Sequence, residues 1–118
     1  MNANFLIPLS RLFPLLAVAG CAVAYSAPSS QEVIQLRDVR DACLMRNAIT
    51  LDDRRSNPAA IAASVVAACQ PENAALISAI AGPDGFRQSE IARQIQQDSQ
   101  QAATQYVLSH RAARSVKG

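Results

Sequence analysis

Cys43 and Cys69 stand at equal distances from a turn-forming stretch, with Ser56 halfway between them in the numbering. That stretch, DDRRSNPAA at residues 52–60, carries two good helix caps, Ser56 and Asn57. Pro58 follows, and it suits a first helical turn because its missing amide proton would find no partner there. In an antiparallel helical hairpin, residues equidistant from the turn lie at the same level. If both flanks are helical, the two sulfurs face one another.

Both flanks read as helix. Ser29-Ser30-Gln31-Glu32 has the Ser-x-x-Glu spacing of a capping box. Val33, Leu36, Val39 and Cys43 then recur at three- and four-residue steps, with Leu44, Ala48 and Leu51 extending the same apolar side. Arg37, Asp38, Arg40, Asp41 and Arg46 fill the rest and are expected on the surface. Beyond the turn, Ile61, Val65 and Cys69 are spaced by four on a segment running through Gln70, whose other faces are mostly Ala. The cysteines therefore lie on the apolar stripes of their own helices. In an oxidising compartment a Cys43–Cys69 disulfide would clip the hairpin across its shared face, stabilising it by about 3 kcal/mol in the chain-entropy model. In a reducing one they would be two buried thiols.

Pro71 interrupts or redirects the second helix. ENAALISAIAG then gives a short apolar segment stopping at Gly82, and GPDG, residues 82–85, is a turn. A final helix is expected from about Phe86 to His110, with a broken stripe of Ile91, Ile95, Ala102, Tyr106 and Val107 set among seven glutamines, from Gln88 to Gln105. This most polar helix is expected to pack least tightly. Arg111, Arg114 and Lys117 near its end complement the helix dipole. Composition agrees: half the residues are apolar, but they include only three Phe, two Tyr and no Trp, so the core is aliphatic and the fold class is all-α, a small bundle of three to four helices. Eleven basic and nine acidic residues are scattered along the chain, and the balance names no nucleic-acid partner.

The first thirty residues have another character. One charge, Arg11, precedes the apolar run Leu12 to Ala24, which is shorter than the roughly 20 residues a membrane-crossing helix needs. The shape is that of an export signal. Within it Val18-Ala19-Gly20-Cys21 resembles the lipobox of bacterial lipoproteins. The resemblance covers residues 1–21 only and implies a signal peptide over 1–20, acylation of Cys21 as the new N-terminus, and a lipid anchor in a bacterial envelope membrane. Ordinary signal cleavage after Ala22-Val23-Ala24 or Ala24-Tyr25-Ser26 is the alternative. The uncharged, Ala-, Ser- and Pro-containing stretch that follows reads as a tether over 21–31, leaving a helical domain over 32–112 and a basic disordered tail over 113–118.

Chemistry is sparse. His110, the sole histidine and sole imidazole base, is expected to be solvent-exposed at the end of a polar helix. Asp52 and Asp53, beside Arg54 and Arg55, read as solvated charge. The four glycines, at 20, 82, 85 and 118, form no phosphate-cradling loop. Cys43 and Cys69 are not a Cys-x-x-Cys pair; a zinc site would need His110 and a carboxylate as well. The expectation is a non-enzyme without cofactor, metal or small-molecule substrate. It would be a structural or protein-binding envelope module, held at a membrane through Cys21 and meeting an envelope protein, with the Gln-rich helix, the basic tail or a groove beside the hairpin as contact surface. The other reading is a soluble periplasmic protein of chaperone or inhibitor type.

Overall fold

The structure is a computed structural model that describes residues 29–117. The predicted signal, the lipobox cysteine and most of the tether lie outside the described residues. Four helices follow one another: α1 (Ser30–Leu51), α2 (Pro58–Ala68), α3 (Gln70–Ala81) and α4 (Gly85–Ser115), and no strand occurs among the described residues. The fold is an all-α bundle with a Cys43–Cys69 disulfide between α1 and α2.

Local chemistry accounts for the boundaries. Ser29 caps α1, its Oγ accepting from the Glu32 amide at 3.2 Å. Asn57 caps α2, accepting from the Ala59 amide at 2.8 Å just ahead of Pro58. Between α2 and α3 only Cys69 intervenes, yet the axes bend by 69°. The Cys69 amide still donates back to Val65 and Val66, whereas Pro71 has no amide proton with which to continue the ladder. No single helix among the described residues is long and apolar enough to cross a membrane. At the end of α3, Gly82 adopts φ 66°, a left-handed conformation open to it for want of a Cβ. Asp84 then caps α4 through the Phe86 and Arg87 amides.

The core joins Cys43, Leu44 and Ala48 of α1 to Ile61, Ala62, Val65 and Val66 of α2, and to Ala103 and Val107 of α4. α4 packs against each of the other three helices, as does α1. The most polar helix is thus the one that spans the bundle. It buries a four-residue row, Ile95, Ser99, Ala103 and Val107, in place of the expected Ile91, Ala102 and Tyr106, which are only half-buried. Small side chains in that row let α4 come close to its neighbours.

Other expectations shift for related reasons. α1 faces three helices, so its buried row runs through Arg40, Leu44 and Ala48, while Val39 and Leu51 stay exposed. Arg40, expected at the surface, is 7% exposed: its aliphatic stem is covered, and its guanidinium reaches Asp41 at 2.9 Å. α1 begins at Ser30, inside the segment expected to be tether. α4 runs through Ser115, five residues beyond His110 and into the segment expected as a disordered tail. Ala112 and Ala113 propagate helix well, and Arg111 anchors that end to the rest of the protein.

Candidate functional site

Two places gather the chemistry-bearing side chains. The first is the cystine. Cys43 sits in the middle of α1 and Cys69 at the α2–α3 bend, with Cα atoms 6.0 Å apart and both residues buried. Placement at the same level of a hairpin, read from the numbering, is what the fold realises. Asn47, one turn beyond Cys43, donates from Nδ2 to the Cys43 carbonyl at 2.9 Å and lies 3.4 and 3.5 Å from the two sulfurs. Glu72, in the first turn of α3, brings a carboxylate oxygen close to the same sulfurs. The acidic neighbour is therefore Glu72, and the fourth member of the zinc set considered from sequence, His110, belongs elsewhere. With the sulfurs bonded to one another they are not thiolate ligands, and the group acts as a covalent clip.

The second place is the α1–α2 turn where α4 passes it. Asp52, the residue after α1, receives Arg111 Nη2 at 2.6 Å and Nε at 3.1 Å, and Arg111 Nη2 also donates to the Ser56 carbonyl at 2.9 Å. The Asp52 side chain is fully shielded from solvent. Its pKa is lowered from 3.8 to about 2, chiefly because Arg111 donates to it. Burial opposes the shift, and the Arg54 amide and the charge of Arg111 add to it. Asp53 instead organises the turn itself, accepting from the Arg55 and Ser56 amides and the Ser56 hydroxyl, which together hold its pKa below the usual value. The adjacent aspartates are thus a latch and a turn cap, and Asp52 is not the solvated charge expected of it. Arg54, the residue after them, takes φ 59°.

His110 is likewise drawn in. Its side chain is 20% exposed, with Nδ1 3.9 Å from Asp52 Oδ2 and without a hydrogen-bond partner among the described residues. The expectation of a freely solvated histidine fails because α4 runs on past it and presses this turn of helix against the hairpin loop. No hydroxyl or thiol among the described residues is hydrogen-bonded to it, so the geometry supplies no nucleophile–base pair. The groove expected between α4 and the hairpin is filled by Ala103 and Val107, both fully buried. On the Gln-rich face, Gln96, Gln97, Gln100 and Gln101 line a shallow depression.

A third polar contact had no signal in the sequence. Ser99 Oγ donates to Asn73 Oδ1 at 2.9 Å, with both residues buried, and joins the start of α3 to the middle of α4. Periodicity marks buried positions by their apolar residues, so a Ser and an Asn within them leave no trace. Comparison with known proteins finds no family model, no curated protein and no solved structure that matches the chain.

Proposed function

We propose that this chain is an exported envelope protein, a small helical structural or protein-binding module held at a bacterial membrane through an acylated Cys21. The observation that carries this reading is the cystine that clips α1 to α2. Disulfides persist outside the reducing cytosol, and small exported domains lean on them because their apolar cores are modest. The lipobox-like Val18-Ala19-Gly20-Cys21 lies upstream of α1, separated from it by only a short uncharged stretch. That order, anchor then rigid bundle, suits a module presented at a membrane surface.

A binding role fits the side chains better than catalysis. The sole histidine lies against Asp52 and beside Arg111, whose hydrogen bonds tie α4 to the hairpin turn. Metabolic labelling with a radioactive fatty acid tests the anchor. The wild-type protein is expected to take up label and Cys21→Ser to lose it. A wild-type protein that takes up none overturns the anchor and favours a freely released periplasmic protein of chaperone or inhibitor type.

A further inference from the structure

Large apolar side chains left exposed are concentrated on α1. Val39, Met45 and Ile49 are 56%, 48% and 52% exposed. With about 100° between successive residues of a helix, these three lie within about 60° of Ala42, together with Gln35, Asp38 and Arg46. All seven residues are exposed, and the face they form points away from the bundle, opposite the buried row of Arg40, Leu44 and Ala48. The exposed faces of α2 and α3 carry mostly Ala and Ser, and α4 leaves Phe86 and Leu108 exposed at distant points along its length. The face interleaves apolar side chains with charge: Asp38 and Arg46 lie about 40° either side of Ala42, inside Val39 and Met45 at about 60°.

The order of residues along the face selects its occupant. Asp38 lies four residues before Ala42 and Arg46 four after; Val39 lies three before and Met45 three after. Two copies of α1 packed antiparallel about a two-fold axis at Ala42 bring each residue opposite its counterpart across the axis. Asp38 then faces Arg46 twice, and Val39 faces Met45 twice. A parallel pair would set Asp38 against Asp38 and Arg46 against Arg46, so charge fixes the orientation. Ala42 at the axis leaves room for the two backbones to approach closely. A lipid surface suits the face poorly, because Asp38 cancels the attraction of Arg46 for anionic headgroups. Among the described residues, neither Asp38 nor Arg46 makes an ion pair within the chain.

We infer that this protein forms an antiparallel two-fold dimer through the outward face of α1, centred on Ala42, with Asp38 of each copy facing Arg46 of the other. A single helix pair buries less than the roughly 800 Å² per partner of a standard interface, so the dimer is a weak and reversible one. Confinement on a membrane would raise its population.

Sedimentation equilibrium of the purified protein over a concentration series tests this. The wild type is expected to give a monomer–dimer equilibrium. Asp38→Arg and Arg46→Asp, each replacing two attractive contacts by two like-charge ones, are expected to weaken it by about tenfold or more. The double variant Asp38→Arg/Arg46→Asp restores the pairs with reversed polarity and is expected to recover most of the wild-type affinity. Ala42→Arg blocks the axis and is expected to leave a monomer with unchanged circular dichroism and thermal midpoint, since the position is exposed. A wild type that stays monomeric at about millimolar concentration overturns the inference. So does a dimer indifferent to the single substitutions, or one that the double variant fails to restore.

Discussion

The two sides of this bundle are held by different forces. Between α1 and α2 the seam is apolar and covalent: Leu44 and Ala48 meet Val65 and Val66, and the Cys43–Cys69 bond closes the contact. Where α4 meets the rest, much of the positioning is polar. Ser99 reaches Asn73 on α3, Gln100 Nε2 donates to the Ala59 carbonyl at the start of α2, and Arg111 grips Asp52 and Ser56 at the hairpin turn. The first seam gains mainly from removing apolar surface from water and from restricting the unfolded chain. The second adds polar contacts, among them the buried Ser99–Asn73 pair, to the apolar burial of Ile95, Ala103 and Val107. The difference teaches that both seams bury apolar surface, while a covalent bond fixes the hairpin and side-chain hydrogen bonds set the position of α4.

The largest effect should come from the first seam. Cys43→Ala is expected to destabilise by about 2–5 kcal/mol, as measured by denaturant unfolding under oxidising conditions. If mutant and wild type unfold alike, the covalent half of the contrast is wrong. On the second seam, Ser99→Ala strands the buried Asn73 amide and is expected to cost about 1–3 kcal/mol. The Asn73 Nδ2 has no partner among the described residues even in the wild type. Replacing both partners, Ser99→Ala with Asn73→Leu, should therefore recover part or all of the loss; a double variant weaker than either single one would show that the pair does more than join the helices.

A smaller effect is expected at the Asp52 latch, where solvent reaches Arg111 and screens the contact. The folded-state pKa of Asp52, about 2, is below its ordinary 3.8, so the folded protein binds fewer protons there than the unfolded chain. The latch contributes fully above about pH 4, and the contribution is lost as pH falls toward 2. Asp52→Asn should flatten that part of the stability–pH curve; an unchanged acid limb would remove the latch from the account. Smallest is Arg54→Gly, expected to stabilise by about 0.5 kcal/mol by relieving the left-handed conformation, net of the flexibility Gly adds to the unfolded chain. Thermal unfolding would read it.

The same contrast explains what could be read from the sequence. The hairpin was legible because its signals are local or periodic: Asn57 before Pro58, Pro71 past the bend, and two cysteines equidistant from Ser56. The seam of α4 depends on side chains 26, 41 and 59 residues from their partners, with no repeating pattern to pair them. Asp52 looks like solvated charge until a helix ending at Ser115 is laid across it, and the polarity of that helix hid how much of it lies inside. Arg40 misled for a different reason, since a long stem is buried while the charged head stays paired at the rim.

The central claim, an exported helical module clipped by one cystine, is tested most directly by the intact mass of the protein purified from expressing cells. The account predicts a chain that begins at an acylated Cys21 and lacks the two hydrogens given up when Cys43 and Cys69 join. A full-length chain starting at Met1 with both thiols free would contradict it.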